Sequence, residues 1–167
     1  MTKTLVFVRH GHRDTSQRDM DNGLDAKGQG QARSIKAFFN TRFADSTEVW
    51  LVSSPKRRCQ ETLAPLAKSL NREVDSHSGL DEQKKGESDA EFESRVAKFL
   101  EEWMATSTPL TLVCSHGDWL PIAIKQLLGI HQEFKKGSWL ELEMVGSQLS
   151  LKWYIPTFKF FGGILTK

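Results

Sequence analysis

Apolar residues along the chain fall into two alternating kinds of run. Three runs are short, continuous and rich in β-branched or aromatic residues: Thr4-Leu-Val-Phe-Val8, Val49-Trp-Leu-Val52 and Leu110-Thr-Leu-Val-Cys114. Unbroken apolar runs bounded by polar residues read as strands buried on both faces. Around them lie longer stretches, Ala26 to Phe43, Pro55 to Leu70, Ser88 to Met104 and Trp119 to Leu128, whose apolar residues recur near every third or fourth position. That spacing gathers them on one face of a helix. Strand alternating with helix predicts an α/β fold with a largely parallel central sheet and helices on both faces.

Local punctuation refines the boundaries. Ser54-Pro55 reads as an N-cap and a first-turn proline, Ser88-Asp-Ala-Glu91 has the spacing of a capping box, and Gly129 closes the fourth helix. After Gly137 the period shortens to two. Leu140, Leu142 and Met144 alternate with acidic residues, and Leu149, Leu151 and Trp153 with polar ones, which predicts an antiparallel hairpin turning near Gly146-Ser147. The tail from Tyr154 to Leu165 carries Phe158, Phe160 and Phe161 but is broken by Pro156 and Lys159. It is expected to pack on the core or on another subunit rather than to enter a bilayer.

Composition narrows the class. A chain of 167 residues with 38% apolar and 26% charged residues fits one folded domain over residues 1–167, not a repeat array or a disordered segment. The 23 basic and 21 acidic side chains leave a net charge of +2, so no nucleic-acid partner is expected. The absence of a long apolar run and of a signal-peptide profile predicts a cytoplasmic protein with no membrane partner. The two cysteines, Cys59 and Cys114, cannot build a disulfide framework and are expected as small core residues.

Chemistry gathers at the strand ends. Ligands of parallel α/β sheets bind beyond the C-terminal ends of the strands. The first strand runs into Arg9-His10-Gly11-His12-Arg13, the second into Ser53-Ser54-Pro55-Lys56-Arg57-Arg58, and the third into Ser115-His116-Gly117-Asp118. Guanidinium forks match phosphoryl oxygens, and a neutral imidazole held by one ring nitrogen can attack phosphorus with the other. Gly11 lets the backbone approach closely behind such a nucleophile. Arg58 adds its charge to a helix N-terminus. A leaving alkoxide needs a proton, for which Leu80-Asp81-Glu82 is the best segment and Asp118 a further candidate. Lys56 and Arg57 read as a solvated helix face that steers anions, and His77 and His131 as surface residues. A competing reading takes His10, His12, His116 and Asp118 as ligands of zinc or manganese in a metal-dependent hydrolase, against the repulsion of the surrounding arginines.

Arg9-His10-Gly11 after the first strand, Ser54-Pro55 with Arg58 four residues before Thr62, Leu80-x-Glu82 and Ser115-His116-Gly117 resemble, in order, the histidine phosphatase superfamily, also called phosphoglycerate mutase-like. Leu24-Asp-Ala-Lys-Gly28-Gln-Gly-Gln31-Ala32 and Gly86-Glu87-Ser88 are similar to further family patterns, so the likeness spans nearly the whole chain. The resemblance implies a three-layer sandwich. It also implies a metal-independent, cofactor-free phosphatase that hydrolyses phosphomonoesters, phosphohistidine or phosphotyrosine through a phosphohistidine intermediate. In it His10 is the nucleophile, Arg9 and Arg58 clamp phosphate, Glu82 is the general acid and His116 a second phosphate contact. Arg13 matches branches in which one more arginine enters the phosphate pocket, the alternative being a surface salt bridge. Only a brief segment separates Leu80 from the Ser88 helix, as in short, minimally capped members, and the resulting open pocket favours hydrolysis over mutase chemistry. His12 stands where many relatives have an acidic or small residue. The expected partner is a small phosphorylated substrate or a phosphoprotein, discriminated by His12, residues 14–22 and 83–85, Trp119 and the tail aromatics. The non-enzyme alternative is a catalytically silent phosphate-binding protein.

Overall fold

The continuous apolar runs become the middle of a six-stranded sheet in the computed structural model, which describes residues 1–158. The strands are β1 (Thr2–Arg9), β2 (Val49–Ser53), β3 (Asp75–Ser76), β4 (Leu110–Ser115), β5 (Trp139–Val145) and β6 (Gln148–Ile155), in the spatial order β3-β2-β4-β1-β5-β6. Pairing is parallel from β3 to β1 and antiparallel for β1 with β5 and β5 with β6. The helices are α1 (Ala26–Arg42), α2 (Arg57–Ser69), α3 (Asp89–Ala105) and α4 (Trp119–Leu128).

Alternation along β1 builds both layers. Leu5 and Phe7 point into one core with Phe92, Phe99 and Trp103 of α3 and Trp119 and Leu120 of α4. Val6 and Val8 point into the other, with Ile35 and Phe39 of α1 and Leu63 and Leu66 of α2. A sheet covered on both faces needs strands that are apolar at every position, and β1 is buried from Leu5 through Val8. Each of these large side chains contributes about 1.5–3 kcal/mol on leaving water. The result is the expected three-layer α/β sandwich.

Boundaries mostly follow the sequence signals. Ser88 and Glu91 form the reciprocal capping box of α3, and Gly129 closes α4 in the left-handed region at φ 69°. The Ser54-Pro55 cap is not made. α2 begins at Arg57 with Lys56 as a cap lacking any side-chain bond, because Ser54 continues the ladder beyond β2 and its buried hydroxyl is engaged with His116. β3 has only two exposed residues and no apolar run to announce it. The predicted hairpin is present as β5 and β6, with a bulge between Glu141 and Leu142. The irregularity shifts the facing of β6 and leaves Leu151 and Trp153 about half exposed. In the tail, Phe158 packs against Phe38 and Trp139, while residues 159–167, including Phe160 and Phe161, lie outside the described residues. Among the described residues no helix is long and apolar enough to cross a membrane. Cys59 and Cys114 are free and buried, as expected of core residues.

Candidate active site

Register aligns the ends of the three central strands. Arg9 pairs with Ser115 and Ser53 with Cys114. The ladder then runs one residue further on each side, His10 N donating to Ser115 O and Ser54 N to Cys114 O. His10, Ser54 and His116 therefore leave the sheet along one edge.

The two imidazoles meet there, with ring centroids 5.4 Å apart, and Arg58 from the first turn of α2 lies against both. Arg58 Nε donates to His10 Nε2 at 3.3 Å and Nη2 to His116 Nδ1 at 3.2 Å. A guanidinium only donates, so both of these ring nitrogens are acceptors and the protons sit on the others. His10 Nδ1–H then donates to Gly11 O at 2.8 Å, and His116 Nε2–H to Ser54 Oγ at 2.8 Å. Burial pushes the His10 imidazole down to about 3, helped by the charges of Arg58, Arg9 and Lys136 and opposed by the Gly11 carbonyl. Burial and the Arg58 charge push His116 down to about 2. Both rings are neutral near pH 7, and His10 presents the Nε2 lone pair toward the guanidinium.

Arg9 is held from two sides. Its Nη1 donates to Phe134 O, and the guanidinium lies flat on Gly117, where a Cβ would sit 2.7 Å from its Cζ. Its Nε is buried and has no partner among the described residues. Gly11 N donates to Thr62 Oγ1 at 2.9 Å, and a Cβ there would meet Gly28 O at 3.0 Å, so the loop that follows His10 rests closely on α1 and α2.

Carboxylates close the other side. Glu82 Oε2 accepts from Arg58 Nη2 at 2.7 Å and lies 3.8 Å from His116 Nδ1, and Lys56 Nζ is 3.9 Å from Oε1. Asp81 turns behind the site, its Oδ1 accepting from Glu82 N at 2.9 Å and from Ser54 Oγ at 3.4 Å. Asp118 accepts from Gln83 N at 2.9 Å. Glu82 is thus the carboxylate that touches the arginine shared by the two imidazoles.

Comparison with known proteins identifies the family. The family model for the histidine phosphatase superfamily (branch 1) matches residues 5–87 and 81–154. The chain belongs to the histidine phosphatase superfamily. No curated protein matches it. Solved structures similar to it include a mycobacterial glucosyl-3-phosphoglycerate phosphatase complexed with VO3, at 18% identity over 93% of this chain and 100% of that one, with a TM-score of 0.74. Another is a phosphoserine phosphatase variant from Entamoeba histolytica in complex with phosphoserine, at 16% identity over 91% and 96%, with a TM-score of 0.72. At these identities the likeness is one of fold.

Within this histidine phosphatase fold the structure brings His10, Arg9, Arg58, His116 and Glu82 together and leaves other candidates apart. Of the ligand set drawn for a metal, His12 Nδ1 bonds to Asp25 and Asp118 accepts from the Gln83 amide. Among the described residues no three His, Cys, Asp or Glu side chains gather as ligands. Arg13 makes no salt bridge or side-chain hydrogen bond among the described residues, and its backbone pairs with Leu24. Trp119 is no rim residue: it is fully buried and donates its indole N–H to Gly79 O at 2.8 Å. Arg57 does lie on a solvated face with Glu61, whereas Lys56 faces Glu82. His77 is more than a surface residue, since its ring caps Gly79 N, pairs with Glu102 and packs on Phe99, while His131 is exposed.

Three contributors escaped sequence reasoning. Arg95 of α3 donates to the carbonyls of Gly79, Asp81 and Glu82 and pairs with Glu87, whose carboxyl it pulls down to about 2. Gln31 of α1 joins His12 N to Lys136 O through its side chain. Lys136 places a third charge within reach of His10. The family-like Gly-x-x-Gln-Ala pattern pointed at Gln31; Arg95 and Lys136 carry no local signal.

Proposed function

We propose that this chain is a metal-independent phosphatase that hydrolyses phosphomonoesters through a phosphohistidine on His10. The observation that carries the reading is the His10 ring itself, neutral, locked at Nδ1 by Gly11 O, with its Nε2 lone pair among arginines. In the first step Nε2 bonds to phosphorus as the P–O ester bond breaks, and Glu82 in its protonated form gives its proton to the departing oxygen. In the second step the Glu82 carboxylate takes a proton from water as the oxygen attacks phosphorus and the P–N bond breaks, regenerating neutral His10 and releasing phosphate.

Arg58 is the pivot. In the free protein its Nη2 serves Glu82 and its Nε serves His10. An arriving phosphoryl group, with oxygens carrying more charge than an imidazole nitrogen, draws those donors to itself and frees both the nucleophile and the acid. Arg9, with a buried Nε lacking a partner among the described residues, supplies donors on the other side. His116 must present a donor to phosphate, which the Arg58 contact at Nδ1 now blocks. Once Arg58 turns to the ligand, Nδ1 can take a proton from water or from the arriving phosphoryl group while Nε2–H stays on Ser54 Oγ, the charge on the ring being balanced by Asp81, 3.7 Å from Nε2. The cationic ring needs no metal to neutralise the transferring group.

Rapid-quench reaction with a 32P-labelled ester tests the intermediate. Wild type should yield acid-labile, alkali-stable phosphoprotein, and His10→Ala should yield none while losing about 10⁴-fold or more in kcat. Turnover by His10→Ala at the wild-type rate overturns the mechanism, and activity abolished by a chelator overturns its metal independence.

A further inference from the structure

The turn at residues 134–137, just ahead of β5, is stitched to the backbone of the proposed nucleophile. Gly137 N donates to the carbonyls of both Arg9 and His10, each at 3.1 Å, and Phe134 O accepts from Arg9. The buried side chain of Gln31 closes the stitch, its Oε1 accepting from His12 N at 2.8 Å and its Nε2 donating to Lys136 O at 3.1 Å. Residue 136 is therefore fixed beside His10 by bonds from three directions.

Its side chain is left without a counter-ion. The Lys136 amine is half-buried and has no hydrogen-bond or ion-pair partner among the described residues, and the same holds for the Arg13 guanidinium. Asp25, the neighbouring opposite charge, is occupied by His12 Nδ1 and by Gly28 N at 2.8 Å. Burial lowers the affinity of Lys136 for its proton, and the charges of Arg9 and Arg13 lower it further. His10 feels Arg58, Arg9 and Lys136, whereas Arg13 acts on Lys136. Two half-buried cations with no bonded counter-ion among the described residues, one of them anchored beside His10 and offset only by the charge of Asp25, are unfavourable until an anion arrives.

Resting on the phosphatase reading above, we propose that Lys136 and Arg13 form a second anion subsite beside the phosphoryl clamp. Preferred substrates then carry a further acid group, a carboxylate or a phosphate, a few atoms from the ester oxygen. Arg9, Arg58 and His116 surround the nucleophile and take the phosphoryl oxygens, so the outer pair is available to the remainder of the substrate.

A matched series tests this: carboxyalkyl phosphates of two to four carbons against hydroxyalkyl phosphates of the same length. Wild type should favour at least one acid by roughly 10- to 100-fold in kcat/KM, the worth of one or two charge-assisted hydrogen bonds. Lys136→Met should collapse that ratio through KM, Arg13→Met should reduce it, and Lys136→Arg should restore it. Equal losses for acids and alcohols would place Lys136 in the phosphoryl clamp and overturn the subsite, as would a wild type without preference. Calorimetric binding of the same compounds to His10→Ala separates the two readings. Tighter binding of an acid, lost on adding Lys136→Met, supports the subsite even if wild type turns nothing over; equal binding of acid and alcohol sinks it even if wild type is an active phosphatase.

Discussion

The two rims of the site are built to opposite standards. The rim at residues 78–83, which carries Glu82, is tied from three elements: Arg95 of α3 donates to successive carbonyls, Ser115 Oγ donates to Leu80 O at 2.7 Å, and Trp119 of α4 donates to Gly79 O. Asp118 adds a bond to Gln83 N. The rim at residues 14–22 is exposed along most of its length and mostly bonds to itself, through Asp14, Gln17 and Asn22. Its outward ties are the Arg57 amide on Asp21 and a backbone bond from Asp14 to Gly23. A proton donor must sit within a fraction of an ångström of its target, while a surface that only sorts substrates tolerates looseness. The difference supports the proposed role of Glu82 on the tied rim and leaves substrate sorting to the loose one.

Of changes to the two rims, replacing the group that the tied rim carries has the largest expected effect. Glu82→Gln keeps the shape and a hydrogen bond to Arg58 but has no proton to give. With alkyl phosphates kcat should fall by about 10²–10⁴-fold, and with p-nitrophenyl phosphate, whose leaving group needs no proton, far less. Steady-state assays of both esters decide it. Equal losses would remove Glu82 from the proton's path and dissolve the contrast between the rims.

Loosening the tie without touching the acid comes next. Arg95→Ala removes donors from four carbonyls at once and takes the ion-pair partner from Glu87, so kcat on alkyl phosphates should drop about 10- to 100-fold. The loss should shrink with p-nitrophenyl phosphate, a dependence that a merely unstable protein would not show. Arg95→Lys should rescue little, because one ammonium cannot fork across the same carbonyls.

Legibility from sequence divides along the same line. The sheet, the helices and the strand-end residues Arg9, His10, Arg58 and His116 were readable because each sits in a local pattern: an apolar run, a helical spacing, a tripeptide at a strand terminus. Arg95 was not, since on α3 it looks like any solvated charge and its carbonyl partners lie 13 to 17 residues earlier. Lys136 was hidden for the same reason, with Gln31 reaching it across 105 positions. Ser54 was read as a helix cap because a serine before a proline usually is one. Only tertiary contact reveals its hydroxyl turned to His116. Trp119 follows the Ser-His-Gly segment and so reads as a rim residue, but helix α4 turns it inward.

Acid should weaken the fold in a defined window. His10 and His116 have an ordinary value of 6.5 and are pushed down to about 3 and about 2 by burial. Below pH 6.5 the unfolded chain takes up protons that the native protein refuses, so stability falls as pH drops from 6.5 toward 3. Each histidine contributes a slope of at most about 1.4 kcal/mol per pH unit. Glu87, held near 2 by Arg95, adds to the loss only below its ordinary 4.5, where the unfolded carboxylate protonates first. Denaturant titrations should show His116→Gln flattening the upper part of this window. An unchanged slope would mean that the ring is already protonated in the native state.

Replacing residues 15–20 of the loose rim by a Gly/Ser segment of equal length should have the smallest effect. Those side chains make few contacts beyond their own loop, so kcat on alkyl phosphates should stay within about twofold, and stability within about 0.5 kcal/mol, the range of ordinary surface changes. Asp21 is left in place because its carboxylate holds the Arg57 amide at the start of α2, one residue before Arg58. What should change is discrimination among substrates with large groups beyond the ester, read as KM across phosphopeptides of varied sequence against small esters. A loss of kcat comparable with that of Arg95→Ala would show that the exposed rim also aligns the reacting groups, and the division of labour between the two rims would fail.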